Sequence, residues 1–438
     1  MKCGFFELDI TPPLGSIIPG DFGARYAEEI LDPLYTRAFV VKNENMGLAI
    51  ASVDACGITL DITERIRNRV SQMIPLKPEQ IMVVATHAHG AGPTLNWGEE
   101  VVTDENYLRN LVEKTGDAIV SAWKKAEESE MLIGKEMIYD ISFIRVYKLK
   151  DGSFKTNPPR ENPEAIIEKP CSEIDPELLV LAVKQNNKFV GAVINFATHP
   201  ATISTKQITG DYISILSNEM KKIYGPEFVS VFITGACGNI NHINPFDKST
   251  YEDCYKAYQN VGKKIAEKAS QAMENASQIK DDTLSAKCSF VNAKFRKPGM
   301  EMLLAAKKLF DNLGDNLVES VPGQNDYIDT FFALQTFLIQ ADKRTERKID
   351  LQVFRIADCY IFGNPCQIFV EFGKKVKNSC GDYCFVSAFA NDYCGYVPTP
   401  ECMREGVYEA RLAPTSALEP AAGDKIADKL IEMYNELI

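Results

Sequence analysis

The sequence predicts an α/β fold in which mixed β-sheets are flanked by helices and the functional residues sit at the C-terminal ends of strands. Three observations carry this reading. Short β-branched and apolar runs alternate with amphipathic helical stretches along most of the 438 residues, the rhythm of strand-helix-strand units. Two of the runs, 81–86 and 189–197, break directly into Thr-His, at Thr86-His87 and Thr198-His199. The chain has only four histidines, His87, His89, His199 and His242, and three of them lie just past a strand-like run. A buried strand that runs out into a loop delivers its last side chains to the rim where open α/β folds place ligands.

The elements follow in order. Residues 5–12 read as a short strand closed by Pro12 and Pro13, with a glycine-bearing loop through 15–23 behind it. Strands at 37–42 and 46–54 flank the turn Asn43-Glu44-Asn45. Asp61 is placed to cap a helix to Ile74, with Ile62, Ile66 and Val70 on one face. After the 81–86 strand, Thr103 or Asp104 opens a helix to about Glu130, and 136–149 reads as one long strand containing Arg145. A polar, Pro-rich connection covers 150–178, a length typical of functional loops. Strands 178–183 and 189–196 form a hairpin; Asp211 caps a helix to Tyr224; 228–234 is a strand that spills into a loop of small and amide residues through His242. Helices at 251–276, 300–312, 326–341 and 424–438, and strands at 283–294 and within 348–363, complete the pattern, with no repeats in the sequence.

Bulk properties narrow the function. With 45% hydrophobic and 25% charged residues the chain is an ordinary globular one. The net charge of −12 and the lack of a Lys/Arg cluster argue against nucleic-acid binding. No run of ~18 apolar residues offers a membrane span, and the N-terminus is too short and acidic for a signal peptide, so a cytoplasmic protein is expected. Twelve scattered cysteines without a Cys-x-x-Cys pair read as reduced packing or surface thiols.

The order of motifs resembles the neutral/alkaline ceramidase family of zinc amidohydrolases. Asp9-Ile-Thr-Pro, Thr86-His-x-His, Phe196-Ala-Thr-His-Pro, Phe369-Val-Glu-Phe-Gly and Asn391-Asp-Tyr-Cys-Gly-Tyr-Val-Pro-Thr occur in the family's order over almost the whole chain. The resemblance implies a single catalytic domain over 1–438, without the family's C-terminal β-domain or secretory signal. It implies zinc ligands at His87, His199, Tyr396 and the position of Gln367, with His89 beside the metal and Tyr408 near the reacting carbonyl. Two positions depart from it: Gln367 stands where the family has a glutamate, and Asn241 where it has a serine, with Asn239 in place of an aspartate. Glu371, four residues past Gln367, takes part only if the local backbone differs from the family's.

Zinc with nitrogen and oxygen ligands lowers the pKa of a bound water to about 7, which suits attack on an amide. The sequence therefore points to a zinc-dependent hydrolase of an N-acyl or cyclic amide in a small soluble substrate, with His89, His242, Tyr408 and Asn241 as catalytic candidates. The expected partner is a small molecule, with no nucleic acid and no membrane span. Two alternatives stand beside it: a ceramidase-like protein whose site has decayed into a ligand-binding module, and a thiol hydrolase using Cys237. His242 rests on the residues alone, since it ends a third strand as His87 and His199 end theirs.

Overall fold

The computed structural model describes residues 1–20, 23–96, 101–313 and 325–438. Part of the loop expected at 15–23, residues 21 and 22, lies outside the described residues. Three sheets share one topology. In the first, β1 (Lys2–Asp9), β2 (Tyr35–Lys42) and β3 (Gly47–Val53) form an antiparallel meander, α1 (Leu60–Met73) crosses over, and β4 (Ile81–Ala85) lies parallel to β3 at the sheet edge, followed by α2 (Glu105–Lys125). The second repeats this with β5 (Glu130–Met137), β6 (Glu177–Gln185), β7 (Lys188–Phe196), α3 (Tyr212–Tyr224), β8 (Val229–Thr234) and α4 (Cys254–Glu274). The third inserts a helical pair, α5 (Met300–Leu313) and α6 (Asn325–Ala341), between β9 (Leu284–Lys294) and β10 (Glu346–Ile356). It continues through β11 (Cys359–Gly363), α7 (Val370–Ser379), β13 (Tyr383–Ser387) parallel to β11, and α8 (Ala422–Asn435), while the short β12 (Cys366–Ile368) and β14 (Gly395–Val397) pair with each other as a separate two-stranded sheet.

The apolar runs reflect burial on both faces of each sheet, which removes the need for alternating polar residues. Odd and even positions still diverge: Ile50, Met82, Val84, Leu181, Val193, Ile233, Phe354, Ile361 and Phe385 meet in one central core shared by all three sheets. Their neighbours Ala51, Val83, Val180 and Val353 face the outer helices. Among the fully buried side chains are Phe232, Phe354, Phe362, Phe385 and Phe389, each contributing ~1.5–3 kcal/mol of burial.

The C-terminal ends of the parallel pairs are stitched to one another. Ser52 Oγ donates to Phe232 O (2.6 Å), Asn195 Nδ2 to Ile233 O (2.7 Å) and Val386 O (3.0 Å), and Thr234 Oγ1 to Thr86 O (2.7 Å). The amides of Ala388 and Asn391 reach Thr234 O and Val83 O. The loops of all three sheets are thereby held at one common edge.

Several expectations change. Thr59, not Asp61, caps α1, its side chain accepting from the Ile62 amide; Asp61 sits in the first turn. Asp104 caps α2, which stops at Lys125 because the chain must turn into β5. The strand expected at 136–149 is divided into β5, Phe143–Ile144 and Val146–Leu149, with the Arg145 amide diverted to Asn239 O. The 150–178 connection contains strands Phe154–Thr156 and Ile167–Pro170 and a helical turn Pro163–Ile166. All twelve cysteines are free, and among the described residues no helix is long and apolar enough to cross a membrane.

Candidate active site

One cavity of about 430 Å³ at this edge is lined by eight of the candidates named from the sequence: His87, His89, His199, Asn241, His242, Gln367, Tyr396 and Tyr408. The first two loops after β4 and β7 bring His87 and His199 together across 112 positions, their ring centroids 4.7 Å apart. At i and i+2, His87 and His89 would face one side of an extended strand, but no strand carries them. β4 ends at Ala85, and His87 lies in a turn with φ 68°, a left-handed conformation that costs a non-glycine residue of order 1–3 kcal/mol and concentrates at functional sites. Its amide donates to Ala55 O and its ring stacks on Phe389 at 4.0 Å.

The ring nitrogens are oriented by the backbone. His87 Nδ1 is 2.5 Å from Cys56 O, and His199 Nδ1 is 3.4 Å from Cys237 O. A carbonyl only accepts, so both Nδ1 atoms carry the proton and both Nε2 atoms present lone pairs. Burial, then the neighbouring histidines, holds the pKa of each ring well below the ordinary value, so both are neutral. Carbonyl-anchored neutral imidazoles are the usual state of metal-ligating histidine. His89 Nε2 lies 3.4 Å from His87 Nε2 and 3.2 Å from His199 Nε2. The His89 loop is clamped from both sides, its amide donating to Pro200 O and its carbonyl accepting from Arg25 Nη2 at 2.7 Å.

Among the described residues Cys56, His87 and His89 also form a group with ligand atoms within 4.8 Å of one another. The Cys56 thiol, however, lies 3.9 Å from His87 Nδ1, the nitrogen already bonded to a carbonyl, and it does not line the cavity. His199 is therefore the better third donor.

The two-stranded sheet that follows the third one in the chain supplies Gln367 from β12 and Tyr396 from β14, side by side in parallel register. Gln367 Nε2 contacts the Tyr393 hydroxyl (2.5 Å), while Gln367 Oε1 is buried with no hydrogen-bond partner. Tyr396 lies edge-on to Tyr408 and beneath the Arg145 guanidinium. Burial pushes the Tyr396 phenol up and Arg145 draws it back down. Arg145 itself is buried, which opposes its charge, but Tyr396 and Glu409 outweigh burial and raise its pKa. Its Nε is 2.7 Å from Glu409 Oε1 and its Nη2 donates to Gly238 O.

The second sheet's loop supplies His242 and Asn241. His242 is buried with Nδ1 unpartnered, and burial followed by Arg160 lowers its pKa to about 4. Asn241 is committed: its Nδ2 donates to Asn157 and its Oδ1 accepts from the Ile243 amide. Glu371 does not reach the cavity. It accepts from Asn239 Nδ2, and Asn239 Oδ1 accepts the Val370 amide, bracing the start of α7. Burial pushes the Cys237 thiol up to about 12, which leaves it inert and outside the cavity lining. Sequence reasoning assigned no role to Arg145, Asn157, Tyr393 or Arg411, all of which line the cavity; a charged residue inside an apolar strand run was the one available signal, at Arg145.

A model of the family described as neutral/alkaline non-lysosomal ceramidase, N-terminal, matches residues 22–242, half of the chain. The chain belongs to this ceramidase family. The crystal structure of neutral ceramidase from Pseudomonas aeruginosa is similar in fold, with a TM-score of 0.76 at 17% identity, covering 100% of this chain and 74% of that one. A ceramidase complexed with C2 matches with a TM-score of 0.75, 17% identity and coverage of 100% and 75%. No curated protein sequence matches significantly. Family membership extends to hydrolase chemistry, and the histidine cluster is where a metal of such a hydrolase fits: converging lone pairs, an orphaned amide oxygen and a phenol beside a cation.

Proposed function

We propose that this ceramidase-family protein is a zinc-dependent amidohydrolase that cleaves an N-acyl amide of the ceramide type. The observation that carries the reading is the convergence of the His87 and His199 Nε2 lone pairs on His89, in a cavity that also holds Tyr396 and Gln367. His87, His199 and Tyr396 would hold the metal, with Gln367 Oε1 as a neutral donor. When bound, zinc supplies Lewis-acid polarisation of a carbonyl and acidifies water to a pKa of about 7.

The chain's own residues do the rest. Arg145, fixed by Glu409 and Gly238, keeps positive charge against the Tyr396 ring and favours its phenolate. His242, neutral above its lowered pKa, accepts a hydrogen bond through Nδ1 from a water or a substrate hydroxyl. Tyr408, beside Tyr396, is placed to donate to a developing oxyanion.

The mouth of the cavity bears on the substrate. Phe331, Phe332 and Leu338 of α6 line it, and Leu338, Leu334, Phe337, Met300 and Leu304 of the α5–α6 pair are exposed. Such a cluster suits an acyl chain, and favours an amphiphilic amide over the small soluble one expected from charge alone. The reading of the site as a binding module without turnover draws on two departures, the neutral Gln367 in place of a carboxylate and Asn241 in place of a serine.

Metal analysis of the purified protein, followed by turnover on N-acyl amides of graded chain length, tests the proposal. One zinc per chain with acid release is expected. Zinc without turnover on any amide leaves the binding module; absence of both ends the proposal.

A further inference from the structure

We propose that His89 is itself a metal ligand, taking the place of the missing carboxylate and making this a three-histidine centre with His87 and His199. The inference rests on the reading of the site as a zinc centre and goes beyond it in the ligand set.

Zinc-nitrogen bonds of ~2.0–2.1 Å at a tetrahedral angle place two nitrogens about 3.3–3.4 Å apart. The two measured Nε2 separations from His89, 3.4 Å to His87 and 3.2 Å to His199, match that edge. A proton does not account for them equally well. The Nδ1 atoms of His87 and His199 are tied to carbonyls, so both Nε2 atoms are acceptors. His89 Nε2 carries at most one hydrogen and can satisfy one of the two; a cation satisfies all three nitrogens at once.

The position is built rather than incidental. The His89 amide bonds to Pro200 O, directly after His199, and its carbonyl is held by Arg25 Nη2. Gly20, at φ +112°, approaches so closely that a Cβ there would lie 3.0 Å from His89 Cα, Cβ and Cγ. Small backbone on one side and a clamp on the other fix the ring. Gln367 Oε1, buried and unpartnered in the same cavity, would add a neutral oxygen donor, leaving the Tyr396 phenolate as the one anion of the set. Three imidazoles, an amide and one phenolate would leave one positive charge on the metal uncompensated, so acidification of water would rise where a carboxylate would have damped it.

X-ray absorption at the zinc edge of the wild-type protein counts imidazoles directly, with no variant required. Three per metal is expected. Two per metal overturns the inference while leaving the zinc-enzyme reading intact; no bound metal overturns both. In equilibrium dialysis, His89→Ala is expected to weaken zinc by more than ~100-fold, beyond the ~10–100-fold that losing an outer partner costs, and to remove one imidazole from the absorption spectrum. An affinity within tenfold of wild type, with the imidazole count unchanged, also overturns it. Gln367→Glu is expected to tighten zinc while the count stays at three; a drop to two in that variant would show His89 to be a stand-in displaced by any carboxylate, against the proposal.

Discussion

Replacing Glu409 by glutamine would strand the Arg145 cation that lines the histidine cavity. Glu409 is fully buried, forms an ion pair with Arg145 Nε at 2.7 Å and accepts from Thr156 Oγ1 at 2.7 Å. The amide keeps the size and the Thr156 bond but removes the charge that offsets a buried guanidinium. Breaking one side of such a pair costs ~3–5 kcal/mol; because Gln retains part of the hydrogen bonding, about 3 kcal/mol is expected for Glu409→Gln. At ~2.1 cal/mol/K per residue, 438 residues have an unfolding entropy near 0.9 kcal/mol/K, so Tm falls by roughly 3 °C. Circular dichroism during thermal and urea unfolding at pH 7 reads both quantities. Arg145→Met in the Glu409→Gln background should recover part of the loss, with a coupling of roughly 0.5–3 kcal/mol. A single variant within ~0.5 kcal/mol of wild type, or strict additivity in the double variant, would refute the account of Arg145 as a cation dependent on Glu409.

Three further outcomes are expected. His242 has an unfolded pKa of 6.5 and a folded one of about 4; its neutral form is favoured by folding, so its contribution is complete above pH 6.5 and is lost as pH falls toward 4, a swing of roughly 3 kcal/mol. His87 and His199 shift in the same direction, so the urea midpoint of metal-free protein should drop between pH 7 and 5, and His242→Gln should flatten that slope; an unchanged slope counts against its burial as a neutral group. Gly395→Ala, at φ 73° with Thr415 O where a Cβ would stand, should destabilise the chain by ~1–3 kcal/mol or more and lower zinc content, because it displaces the turn carrying Tyr396; wild-type melting would contradict it. Leu338→Asp on α6 should raise KM for long N-acyl amides several-fold while sparing short ones, and equal effects on both would remove the acyl-chain role of the cavity mouth.

How much was legible in the sequence depended on where the signal resided. Strand ends at Thr86-His87 and Thr198-His199 were readable because β-branched runs end abruptly in polar residues, and the Asn186-Asn187 turn is in the left-handed region that these residues tolerate. The approach of His89 to His87 has a cause that period-two strand parity does not supply, a left-handed turn at His87. Between 364 and 423 the motifs were visible but β12 and β14 were not, since three-residue strands carry too few positions for periodicity to register. The engagement of Asn241 with Asn157 and of Glu371 with Asn239 depends on contacts 84 and 132 positions apart, which one chain's local pattern does not encode. The shared topology of the three sheets was invisible for the same reason: the units repeat a path, not residues.

That repeated path has a consequence for assembly. Each unit sends its two crossover loops to one rim, so the donors come from positions as distant as His87 and Tyr396, and no single unit holds more than a partial set. Before the three units dock, bringing those donors together would require closing long loops at an entropic cost that no local contact offsets. A cation at the rim thus binds the finished arrangement in preference to any part of it, and its binding free energy is added to the docking of the units. A metal bound there would act as a keystone, set last and holding three separately built units in register.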